Sequence, residues 1–97
     1  MQTISREDYL KAILKIEEEA GSVSNQALVE KLNTRPASVT NMLHTLAAAG
    51  WVEHEAYKGV RLTDSGKEIA LSTLRKHRLW EVFLVDKLNF SWDEVHQ

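Results

Sequence analysis

Apolar residues recur at helical spacing in four stretches of this chain and alternate with polar ones in a fifth. The first stretch is Ser5 to Ala20. There Tyr9, Ile13 and Ile16, joined by Leu10, Ala12 and Leu14, form an apolar band wider than a single stripe. Ser5 followed by Asp8 has the spacing of a capping box with the shorter acid, and Gly21 ends the helix. The second and third stretches are short and adjacent. Ser24 caps a helix whose stripe is Ala27, Leu28, Val29 and Leu32, and a tight turn follows near Asn33 and Thr34. Pro36 then opens another helix, at a position where its missing N–H costs nothing. Val39, Met42, Leu43 and Leu46 face inward from it, and Gly50 is its stop.

The pattern changes after Gly50. Trp51, Val52, Val60 and Leu62 alternate with polar residues around a Lys58-Gly59 tip, which predicts a short hairpin. Thr63 caps a long helix from Asp64 to about Leu88. Its first stripe is Ile69, Ala70 and Leu74; from Leu79 onward apolar residues crowd every side. A helix apolar nearly all round must be covered nearly all round, and one neighbour in a small chain cannot do that, so a second subunit is implied. Ser91 caps a further helix of which only about a turn is present before Gln97. The reading is therefore mainly α with a small β-hairpin: a winged helix-turn-helix over residues 1–63, and over 64–97 a long dimerisation helix opening a second, truncated unit.

Composition narrows the classes. The 97 residues contain no cysteine, so disulfides and thiolate metal sites are excluded. No apolar run reaches membrane-spanning length and no basic-then-apolar signal opens the chain, so a soluble cytoplasmic protein is expected. The net charge of −2 disfavours a nucleic-acid partner, but its distribution does not. Residues 1–34 hold four basic and six acidic groups, residues 35–78 hold seven and four, and residues 79–97 hold one and four. The middle is thus net +3 between ends of −2 and −3, and phosphate attraction follows local potential.

Two sets of residues carry candidate chemistry. On the helix opened by Pro36, the outward side shows Ala37, Ser38, Thr40, Asn41, His44 and Ala48, with Arg35 at its start and no acid. Small residues allow close approach to a duplex; Asn pairs with adenine, and Ser or Thr bonds bases or phosphate. Lys58 and Arg61 on the hairpin stand where a wing touches phosphates or the minor groove. A helical hairpin in an ordinary bundle would share the shape, though not the hairpin after it. The second set is His77 and Glu81, four apart on the long helix, where an imidazole and a carboxylate can grip one cation; His96 joins them if the last helix folds back. An ion pair would have the same spacing.

Four segments, EDYLKAILKIEEE, VSNQALVEKL, RPASVTNMLHTLAAAGWVEHEAYKGVRLTDSGKEIA and LRKHRLWEVFLVDKL with WDEVH, together resemble the diphtheria-toxin-repressor family of metal-dependent regulators, which includes the manganese transport regulators. The likeness runs nearly end to end, and the KHRL-x-E-x-F-L motif is specific in its spacing. It implies a winged-helix homodimer that binds double-stranded operator DNA when loaded with Mn(II) or Fe(II) and represses metal-uptake genes. It assigns Asp8 as a first-helix metal ligand of the manganese type, His77 as a ligand on the long helix, and Glu81 and His96 as ligands of a neighbouring site of the iron type. It also sets Arg35, Ala37, Ser38, Thr40 and Asn41 facing DNA.

Two departures stand out. Lys11 occupies the position of a second acid, and an ammonium cannot ligate. The family's remaining ligands fall beyond His96, so the site is expected to be incomplete and the dimer weakened. Carboxylate and imidazole donors without sulfur lean to Mn(II), with Fe(II) next and Zn(II) or Ni(II) able to enter in vitro. The expected mechanism is a population shift: metal joins Asp8 to His77 and fixes the winged helix relative to the dimer interface. The alternative is a metal-independent winged-helix module for DNA or protein binding. No catalytic constellation and no small-molecule substrate site is visible, so no enzyme is expected.

Overall fold

The computed structural model describes residues 4–55 and 59–87, with side chains described as far as residue 82. Lys58, His96 and the expected last helix lie outside the described residues.

Helix α1 (Arg6–Ala20) starts with the expected capping box. The Ser5 hydroxyl accepts the Asp8 N–H at 3.1 Å, and the Asp8 carboxylate accepts the Ser5 N–H at 3.3 Å. Gly21, at φ 81°, closes it in the left-handed region. Helix α2 (Asn25–Leu32) is capped by Ser24, whose hydroxyl accepts the Ala27 N–H, and stops at Asn33 with φ 50°. Asn tolerates that conformation better than other non-glycine residues, which is why the turn falls there. Helix α3 (Pro36–Ala48) follows, with Pro at its first position. Strands β1 (Val52–Glu55) and β2 (Gly59–Leu62) pair antiparallel, Val52 opposite Leu62 and Glu53 opposite Arg61.

The hairpin differs from expectation in two ways. Gly59 is not at the tip but is the first residue of β2, paired with Glu55. It has φ 97°, and a Cβ there would run into the Val23 carbonyl. That close approach serves a third pairing that alternation did not reveal: Val23 bridges Val60, whose N–H donates to the Val23 carbonyl at 2.9 Å. The wing is thereby tied back to the segment between α1 and α2.

Helix α4 (Asp64–Lys87) begins against the hairpin. The Thr63 hydroxyl accepts the Gly66 N–H at 3.1 Å and donates to the Gly50 carbonyl at 2.7 Å. It thus caps α4 and also holds the end of the helix-turn-helix. Beyond that point α4 packs mainly along α1. The core lies where the helices and hairpin converge. Leu10, Ile13, Leu28, Val39, Leu43 and Leu46 are fully buried, with Val23, Val60 and Ala70 around them. Each large side chain so buried contributes about 1.5–3 kcal/mol. Thr73 is the buried polar residue among those described; its hydroxyl donates to the Ile69 carbonyl at 2.9 Å and faces a Glu7 carboxylate oxygen at 3.4 Å. Among the described residues no helix is long and apolar enough to cross a membrane.

Candidate nucleic-acid interface and metal site

Packing fixes which side of α3 faces outward. Val39, Leu43 and Leu46 are buried and Met42 is half-buried against the core, so the opposite side is presented outward. Arg35, Ala37, Ser38, Thr40, Asn41, His44 and Ala48 are all exposed, as the spacing predicted. Arg35 is the N-cap but its side chain makes no capping bond, and no acid stands in the first turn. The first N–H groups of α3 and the positive end of its dipole therefore point outward beside a guanidinium, an arrangement suited to a phosphate oxygen.

Two members of the set have other commitments that the sequence did not disclose. Thr40 Oγ1 accepts a bond from Asn25 Nδ2 at 3.3 Å, a link between α2 and α3. Arg61 lies on the outward face of β2, but its guanidinium bonds Glu53 (Nε to Oε1, 2.6 Å) and reaches Glu55 at 3.1 Å. The hydrogen bond donated to Glu53, and that carboxylate's charge, raise the guanidinium's pKa further. The residue sits where a wing contact is expected, with its charge already matched by two carboxylates. The signal was present: Glu53 and Glu55 alternate on the strand directly opposite Arg61. His44 meets His54 of β1 edge to face, ring centroids 6.4 Å apart, at the seam between helix and hairpin.

The candidate metal ligands lie elsewhere. Asp8, His77 and Glu81 line one cleft of about 760 Å³ between α1 and α4, closed at one side by the end of α2. The packing of α4 along α1 brings these residues together across nearly seventy positions of sequence. Carboxylate oxygen and imidazole nitrogen are the right donor types for Mn(II) or Fe(II). Among the described residues, however, no three histidine or acidic side chains converge closely enough to hold an ion. One Asp8 oxygen is engaged in the cap, and His77 Nδ1 stands 3.2 Å from Lys11 Nζ. The donors fit such an ion in kind; the lysine beside them does not.

Family models match the chain nearly end to end. Residues 1–60 match the family described as iron dependent repressor, N-terminal DNA binding domain. Residues 63–97 match the iron dependent repressor metal binding and dimerisation domain. The chain is 41% identical over 85 residues to an uncharacterised HTH-type transcriptional regulator of Methanocaldococcus jannaschii, covering 87% of this chain and 68% of that protein. It is 37% identical over 84 residues to the HTH-type transcriptional regulator MntR of Oceanobacillus iheyensis, covering 87% and 57%. The solved structure of the metal-dependent transcriptional regulator MtsR superposes with a TM-score of 0.90 at 36% identity, over 99% of this chain and 45% of that one. The chain thus spans less than two thirds of the MntR and less than half of the MtsR chain.

Proposed function

The chain belongs to the iron-dependent repressor family, and from that premise we propose that it is the DNA-reading part of a metal-responsive transcriptional regulator. The observation that carries the proposal is the outer face of α3: exposed, small and polar, free of acids, led by Arg35, and held rigid by Val39, Leu43 and Leu46 underneath.

On this reading α3 enters the major groove of double-stranded operator DNA. Ala37 and Ser38 allow its backbone to approach, Asn41 and His44 reach base edges, and Arg35 and the first N–H groups bond phosphate. Thr40 links α3 to α2. The hairpin lies beside the groove with Lys58 and Arg61; Arg61 exchanges its carboxylate partners for phosphate on contact. Asp8, His77 and Glu81, with His96, would hold Mn(II) or Fe(II), and tighter-binding Zn(II) or Ni(II) could replace them in vitro. When bound, the ion supplies a divalent positive charge shared by α1 and α4. The chain's own part is to place those donors on two different helices, so that joining them fixes the reading unit relative to α4. The family relation and the exposed apolar residues of α4 support a homodimer, which would present two copies of α3 to successive grooves. A cytoplasmic repressor with no catalytic role fits this arrangement.

The test is duplex binding by the 97-residue chain, with and without Mn(II), across a salt series. The proposal expects affinity that falls steeply with salt, increases with Mn(II), and loses its metal response in His77→Ala. Duplex affinity that is absent in all conditions would leave a module for protein contacts instead.

A further inference from the structure

The α1–α4 cleft is an unusual place to attract a cation. Lys11, Lys15, Lys31 and Arg78 line it, against the carboxylates Asp8 and Glu81. Among the described residues none of Lys15, Lys31 and Arg78 is in an ion pair. Lys11 does something more specific. An ammonium has no acceptor, so in its 3.2 Å contact with His77 it must donate, and Nδ1 must accept. A neutral ring that accepts there carries its proton on Nε2. Neither nitrogen offers a lone pair: one is occupied by Lys11 and the other carries hydrogen. Any metal that takes His77 has to displace the ammonium or move the ring proton.

We infer that Lys11 is an internal competitor for His77, a built-in cation that links α1 to α4 in the metal-free chain and raises the metal concentration at which the site fills. The inference rests on the proposed metal site and deepens it. The Lys11–His77 bond crosses the same two helices that the metal would join, Lys11 from α1 and His77 from α4. Like the Thr73 contact to Glu7, it is a polar side-chain link between those helices. A metal held by Asp8 and His77 would therefore replace one cationic bridge with another.

The experiment measures Mn(II) affinity by electron paramagnetic resonance, without DNA, on wild type, Lys11→Met and Lys11→Arg. The methionine keeps the aliphatic stem and removes the charge; the arginine keeps the charge. Charges of +1 and +2 a few Å apart repel enough even in water to change affinity by about tenfold. Lys11→Met should therefore bind Mn(II) about tenfold more tightly or better, and Lys11→Arg close to wild type. In metal-free wild type, the His77 ring nitrogens should show a protonated Nε2 and an accepting Nδ1 by nitrogen NMR, a signature Lys11→Met loses. Unchanged or absent Mn(II) binding in Lys11→Met, or an Nδ1–H ring in metal-free wild type, overturns the inference. Mn(II) bound by wild type with the same affinity in Lys11→Met overturns the inference alone; Mn(II) bound by neither wild type nor variants removes the proposed metal site as well, and duplex affinity missing throughout is the separate failure of the DNA-reading proposal.

Discussion

Arg35 and Arg61 carry the same charge with different availability, and that difference sets what each residue can contribute. Arg35 is an N-cap without a capping bond, while Arg61 is held by Glu53 and Glu55. Arg35→Ala should weaken duplex binding across all sequences and lower the salt slope by about one, as expected for loss of one phosphate contact. Asn41→Ala should instead relax base preference, costing about 1–3 kcal/mol on the preferred duplex and little on others. Glu53→Gln should release Arg61 and tighten binding to any duplex. Fluorescence anisotropy on a panel of duplexes at several salt concentrations separates these three outcomes. Much of this was legible in the sequence, since spacing alone placed Arg35, Ser38, Asn41 and His44 on one exposed face. The Asn25–Thr40 bond and the Lys11–His77 contact were not legible. Each joins residues on different helices, and periodicity within one helix says nothing about the neighbour it meets.

At the scale of elements, local chemistry explains why the helix ends were readable. Ser5, Ser24, Pro36 and Thr63 act through backbone groups within three residues of themselves, so their role is written in the adjacent sequence. The hairpin was less readable. Gly59 looks like a turn residue because it takes a positive φ, yet the structure uses that freedom inside β2 to let the Val23 carbonyl approach. Gly66 is a second such place: it lies in the first turns of α4, and a Cβ on it would strike the Trp51 carbonyl. A rigid backbone group cannot yield as a side chain would. Gly66→Ala should therefore destabilise by about 1–3 kcal/mol despite alanine's better helix propensity, and lower the melting temperature by several degrees. Thermal denaturation followed by circular dichroism checks it; a melting temperature at or above wild type would show that α4 does not start against the hairpin as described.

On the scale of the whole molecule, α1, α2, α3 and the hairpin pack together, and α4 runs along α1. Leu79 is 71% exposed and Trp80 60% exposed, with Leu71 and Val82 also open, so among the described residues α4 presents a large exposed apolar surface. Exposed apolar area on this scale marks an interaction surface. The proposed occupant is a second copy, so Leu79→Ser with Trp80→Ser should shift the chain toward monomer in sedimentation velocity while leaving the melting of the reading unit nearly unchanged. In the proposed function every step depends on the outer face of α3 meeting the duplex. The most direct measurement is the change in backbone amide NMR signals of the labelled 97-residue chain when a double-stranded DNA of about two helical turns is added at low salt. Shifts concentrated at Arg35 to His44, with weaker ones at the hairpin and none along the α1 side of the core, are the expected result. An α3 whose signals stay in place, while those elsewhere move or none do, would contradict it.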